Sequence, residues 1–250
     1  MTRSPEDHGA RFDEKAASYD DDQESPEYRR AMELVIASAA PGPEETVLDV
    51  GTGTGAIALA LAGRAKQVLG RDVSKGMLDR AREKAAAEGI ENAEFREGRF
   101  REPNVTEPVD VVVSNFAMHH LADEEKREAM SVIAGSGPRR FVLGDVMFFG
   151  EPDPEEPFFS PEVDDPATVG TLADALTDAG FSLTGVERVH DQVGVLVADR
   201  AERAERSDTE SEAGTDAVAD PAGIDGETTA GTASEGPIVP DEGGTASHEE

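Results

Sequence analysis

A chain of 250 residues with no cysteine, 54 acidic against 23 basic residues and a formal net charge of −31 excludes disulfides, thiolate metal centres and cysteine nucleophiles, and offers no basic stripe for nucleic acid phosphate. The last 50 residues hold 14 acids, 2 bases and no aromatic residue, so −12 of the charge lies there and −19 remains on residues 1–200. Acid excess spread in this way, with 18 Arg against 5 Lys, suits a halophilic protein, because molar salt screens repulsion over about 3 Å.

In chain order, residues 1–24 form an N-terminal lead-in. Ser25 as a cap and Pro26 at the first helical position then start a helix with Tyr28, Ala31, Met32, Val35 and Ala39 on its apolar face. Pro41, Gly42 and Pro43 end it. Strands are expected near 46–50, 67–71, 93–97, 109–113 and 140–146, separated by helices near 55–65, 75–88 and 123–134, the alternation of a parallel sheet with helices on both faces. A last helix, 168–179, stops at Gly180 and leads into FSLTGVERVHDQVGVLVADR, two alternating runs that read as an edge hairpin. The segment GEPDPEEPFFSPEVDD is too rich in proline and acid to be a long helix. Phe148, Phe149, Phe158 and Phe159 flank it, as candidates for an apolar acceptor wall or for plain packing. Residues 25–200 make one α/β domain, and 201–250 cannot bury enough apolar surface to offset their ordering entropy, so a disordered acidic tail is expected. With no apolar run near 20 residues and no signal-peptide core in MTRSPEDHGA, the expected location is the cytoplasm, with no membrane partner.

The chemistry concentrates in TVLDVGTGTG, residues 46–55: a strand, a tight turn and a helix start. Gly51 lets the chain leave the strand at a dihedral that a side chain forbids, while Gly53 and Gly55 remove Cβ atoms where a ligand touches backbone. The following helix turns its free N–H groups to that ligand. Gly51, Gly53 and Ala56 also satisfy the pattern of a dinucleotide site. Asp49 favours a cationic ligand such as S-adenosylmethionine over a pyrophosphate, and Asp72, ending the second strand, is placed to accept from ribose hydroxyls.

VLDVGTGTG, GRDVSKGMLDRAREKA, VDVVVSNFAMHHL and the N-terminal FDEKAASYDDD resemble successive motifs of the class I S-adenosylmethionine-dependent methyltransferases, in the small-molecule subgroup that includes the quinone-biosynthesis enzymes; the resemblance covers about residues 11–199. It implies a Rossmann-like seven-stranded, mostly parallel sheet with one antiparallel edge strand, and methyl transfer to a small-molecule acceptor that the sequence does not identify. The implied cofactor set is Asp49, Gly51, Thr52, Gly53, Gly55, Asp72, Val73, Gly98, Arg99, Ser114 and Asn115. Tyr19 resembles the residue that closes over the cofactor and is a candidate catalytic residue, with a core-edge aromatic as the alternative. His119 and His120 are candidate bases, with capping or packing as the alternative; adjacent histidines without further ligand spacing predict no metal site. Met77, Leu78 and Ala81 read as a buried helix face, and Asp145 as a cap or an acceptor-side acid. One departure stands out: Arg99 occupies the position where the family usually has an aspartate accepting from the adenine amino group, and a guanidinium accepts nothing. That departure, with the short cover, also supports an alternative, a non-catalytic cofactor sensor or partner-binding module. An NAD-dependent dehydrogenase is a further rival, disfavoured by Asp49 and SNFAMHHL.

Overall fold

The computed structural model describes residues 5–23, 25–151 and 158–200; the tail expected over 201–250 lies outside the described residues. Helix α1 (Pro5–Lys15) and a single turn, α2 (Tyr19–Asp22), precede α3 (Pro26–Ala39). The α3 start follows from its sequence: Ser25 Oγ accepts from the Tyr28 N–H at 3.0 Å, and Ala31, Val35 and Ala39 are buried. Helix α1 has no apolar stripe to announce it. It is tied down by Asp13, whose carboxylate accepts from Ser74 Oγ at 2.6 Å and from the Gly76 N–H at 2.7 Å.

Strands and helices then alternate: β1 (Thr46–Val50), α4 (Ala56–Ala62), β2 (Gln67–Asp72), α5 (Lys75–Glu88), β3 (Ala93–Glu97), β4 (Val111–Asn115), α6 (Asp123–Gly135), β5 (Arg140–Phe148), β6 (Ala167–Thr168), α7 (Val169–Asp178), β7 (Ser182–His190) and β8 (Val193–Asp199). The sheet order is β3-β2-β1-β4-β5-β8-β7, with the two-residue β6 pairing the end of β5. All main-path pairs are parallel except those of β8, which runs against both β5 and β7. The reversed strand therefore lies one place inside the edge, with β7 outermost. Every residue of β1 and β4 is buried, as befits parallel strands covered on both faces. One core layer joins the sheet to α6 and α7 through Met130, Ile133, Leu172 and Leu176, and the other to α3, α4 and α5 through Val35, Leu61 and Leu78.

Strand β4 starts two residues later than the apolar run suggests, because Asp110 anchors the chain first: its carboxylate accepts from the Thr46 N–H at 2.8 Å and its own N–H donates to Thr46 O at 2.9 Å. Since β1 pairs with β2 on one side and β4 on the other, the connections leaving their carboxyl ends diverge. A crevice opens at that switch point, where ligands of open α/β sheets bind.

Candidate functional site

The turn after β1 has Gly51, Gly53 and Gly55 at φ of 74°, 54° and 82°, a region costly to residues with a Cβ. Their surroundings differ. A Cβ on Gly51 would meet Ala117 Cβ at 2.3 Å, whereas the nearest atom to one on Gly53 is Tyr19 Cε1 at 3.9 Å. A Cβ on Gly55 would lie 3.0 Å from Ala81 Cβ and 3.1 Å from the Phe95 ring. Gly55 does not line the crevice, and its missing Cβ lets α4 pack against α5 and β3.

Asp72 fixes this turn from β2. One carboxylate oxygen accepts from the Gly53 N–H at 2.9 Å and the other from the Ser74 N–H at 2.8 Å, while Gly51 and Thr52 donate to Arg71 O at 2.8 and 3.0 Å. Asp49 accepts from Thr52 Oγ1 at 2.7 Å. Asp49 is 2% and Asp72 9% exposed, and neither forms an ion pair among the described residues. Burial pushes the Asp49 carboxyl up to about 7; the Thr52 bond opposes the rise and the charge of Asp72 adds to it. Asp72 is also raised by burial, against its backbone N–H bonds. Two uncompensated carboxylates in one crevice favour a positively charged ligand.

The cavity they face is also lined by Gly51, Thr52, Gly53, Val73, Gly98, Arg99 and Asn115, and closed by Tyr19 and Tyr28 together with His8 and Phe12 of α1. Ser114 is fully buried within β4 and its side chain does not line the cavity. Asn115 does, and neither its Oδ1 nor its Nδ2 has a hydrogen-bond partner among the described residues, so a buried donor and a buried acceptor are open to a ligand. Burial raises both tyrosine hydroxyls, that of Tyr28 to about 12, leaving them as neutral donors.

Phe116, a residue with φ of 52° at the end of β4, packs on Tyr28 with ring centroids 5.0 Å apart. Positive φ in a bulky residue marks local strain of the kind found at ligand clamps. Phe158 stacks behind Phe116, Phe148 pairs with Phe159, and Arg188 lies over Phe149. None of the four lines the cavity; Phe12 and Phe116 form its aromatic wall instead.

After β4 a short 3₁₀ turn, Met118–His120, presents two histidines. His119 Nδ1 shares a hydrogen bond with Asp145 Oδ1 at 2.5 Å, and Asp145 Oδ2 accepts from the N–H groups of Met118 and His119 at 2.8 and 3.1 Å. Asp145 thus caps the turn. His120 Nδ1 pairs with Asp164 Oδ1 at 2.7 Å, and its ring lines the cavity, with centroids 4.9 Å from His8 and 5.4 Å from Phe12. Burial, reinforced by His119, pushes His120 down to about 4 despite Asp164. His119 is buried and does not line the cavity. Arg99 reaches the cavity rim but turns its guanidinium to Glu102, which accepts from Nε at 2.9 Å and from a terminal nitrogen.

His8, Phe12, Tyr28 and Phe116 carry no sequence signal as site residues. Tyr28 reads as one more apolar helix position, and the other three become neighbours only through the fold.

Residues 47–136 match a family model described as a methyltransferase domain. An uncharacterized methyltransferase of Oceanobacillus iheyensis is 31% identical over 146 residues, which are 55% of this chain and 66% of that protein. The arsenite methyltransferase of Halobacterium salinarum is 35% identical over 157 residues, 58% of this chain and 39% of that protein. The chain thus spans no more than 66% of either relative's length. Among solved structures, the magnesium protoporphyrin IX methyltransferase of Synechocystis with bound S-adenosylmethionine shares the fold, with a TM-score of 0.56 and 22% identity over 70% of this chain and 80% of that one.

Proposed function

We propose that the chain is a class I S-adenosylmethionine-dependent methyltransferase that transfers a methyl group from S-adenosylmethionine to a small-molecule acceptor, a reading supported by the methyltransferase domain match over residues 47–136 and by the methyltransferase relatives. The observation that carries this reading is the buried pair Asp49 and Asp72 behind the glycine turn, an anionic floor whose carboxylates form no ion pair among the described residues. It fits a ligand with an ammonium and a sulfonium, and it repels a pyrophosphate. When bound, the cofactor supplies a methyl group on an already activated leaving group, so alignment accounts for most of the gain.

This chain's residues supply the alignment. Asp72 would take the ribose hydroxyls, Asp49 the cationic end, Val73 the adenine face, and the unpartnered amide of Asn115 the methionine part. Tyr19, Tyr28, Phe12 and Phe116 would exclude water and present an apolar acceptor to the methyl group. The Halobacterium relative acts on arsenite; this chain has no cysteine, hence no thiolate for a soft metalloid, and a carbon, oxygen or nitrogen acceptor suits it better. The non-catalytic alternative loses its main support, since the guanidinium of Arg99 is turned to Glu102. Among the described residues no helix is long and apolar enough to cross a membrane; the acid excess supports a salt-adapted protein.

Calorimetry with S-adenosylhomocysteine and with NAD tests the cofactor assignment. S-adenosylhomocysteine should bind and NAD should not, and Asp72→Ala should weaken binding at least tenfold, because each hydrogen bond to a charged acceptor contributes ~1.5 to 3 kcal/mol. Tight NAD binding, or unchanged affinity in the variant, refutes it.

A further inference from the structure

Three of the five histidines, His8, His119 and His120, converge at one end of the cavity. The adjacent pair has no third ligand nearby along the chain, but the fold brings Asp164, 44 positions from His120, into contact with its Nδ1 at 2.7 Å. One ligand atom each from His119, His120 and Asp164 lies within 4.8 Å of the other two. We propose that these three side chains form a divalent-cation site at the cavity wall.

Three observations support it. First, the ligands are held in place before any ion arrives. Asp145 accepts from His119 Nδ1, leaving Nε2 as the coordinating nitrogen, the carboxylate–histidine arrangement that orients metal-ligating imidazoles. Asp164 is fixed by the Ser160 N–H on its Oδ2 at 2.8 Å, and the next residue, Asp165, donates its N–H to His119 O at 2.7 Å.

Second, the charge matches. Asp145 is 2% exposed and the Asp164 side chain 5%, and the nearby buried cation, Lys126, is directed at the carbonyls of Leu121 and Asp165 and at Asp123 instead. An ion of charge +2 would balance the two carboxylates. It would take the place of the proton shared by His120 Nδ1 and Asp164 Oδ1; the neutral imidazole keeps its one proton by shifting it from Nδ1 to Nε2, so that Nδ1 and the carboxylate both become ligands.

Third, the donor set is selective. Two imidazoles and one carboxylate favour zinc, iron or nickel class ions over magnesium or calcium, and three protein ligands leave coordination positions open. Because His120 lines the cavity, an open position there would face a bound oxygen and act on it as a Lewis acid. That role toward a methyl acceptor rests on the proposed function. The ion site does not.

The test uses the full chain, stripped with chelator and titrated with Co²⁺. One equivalent should bind and produce visible d–d absorption, and Asp164→Asn and His119→Gln should each bind at least tenfold more weakly. Binding of S-adenosylhomocysteine by Asp164→Asn, measured in parallel, reports that this variant is folded. Absence of stoichiometric Co²⁺ binding by the native chain, or equal affinity in a folded variant, overturns the site. Native protein that binds S-adenosylhomocysteine without Co²⁺ removes only the ion site, and the reverse result removes only the cofactor assignment.

Discussion

Asp49 links ligand charge to pH. Its folded-state value of about 7 stands above the ordinary carboxyl value of 3.8, so its stabilising contribution is fully present below about pH 4 and is lost as pH rises to about 7. A cationic ligand reverses the preference by favouring the ionised form. Affinity for S-adenosylhomocysteine should therefore rise about tenfold between pH 5.5 and 7.5 and then level off, with Asp49 and Asp72 titrating as a coupled pair. In Asp49→Asn the profile should flatten, and an equally steep profile in that variant would assign the proton elsewhere. Arg99 permits a second comparison. Its guanidinium is paired with Glu102, so Arg99→Asp should bind S-adenosylhomocysteine as tightly as the native chain or more so. Tenfold weaker binding would show that the guanidinium touches the ligand.

Helix α6 and the segment before β6 are joined by one buried side chain. Lys126, 2% exposed, donates from Nζ to Leu121 O at 2.6 Å and to Asp165 O at 2.5 Å. Lys126→Met keeps the apolar stem and strands two buried carbonyls, so it should cost about 2 kcal/mol and lower Tm by about 4 to 8 °C. A melting temperature equal to that of the native chain would mean that the carbonyls find other donors. Nothing in the sequence marks Lys126 among the charges of DEEKREAM, since its partners are backbone atoms brought in by the fold. The same limit applies across the site. Gly51 and Asp72 were legible because backbone geometry and strand ends dictate residue type locally. Gly55 shows only that a Cβ is missing, and whether a ligand or Ala81 fills the space depends on how α5 packs. The alternation of strands and helices gave the sheet, yet the start of β4 depended on Asp110 reaching back to Thr46, and Asp164 meets His120, 44 positions away, only through the fold.

For the molecule as a whole, the deciding quantity is the charge of −19 on residues 1–200. At 0.1 M salt the screening length is about 10 Å, so acids on neighbouring surface segments still repel; at 1 M it falls to about 3 Å and most of that repulsion disappears. Salt also weakens surface ion pairs such as Arg30 with Glu33 and Arg80 with Glu83, but exposed pairs contribute only about 0 to 1 kcal/mol each. The buried anionic floor at Asp49 and Asp72 is shielded from mobile ions and should change little. Relief of repulsion therefore outweighs the weakened pairs, and Tm should climb from 0.1 M KCl and level off above about 1 M. A matched series in potassium sulfate separates the two sources of stabilisation, because sulfate strengthens apolar burial in any protein whereas screening needs only ionic strength. If the acid excess is the cause, most of the rise in KCl should occur below about 1 M and the sulfate series should add a further rise that continues with concentration, and a Tm that is flat or falling in KCl would remove the salt-adapted reading.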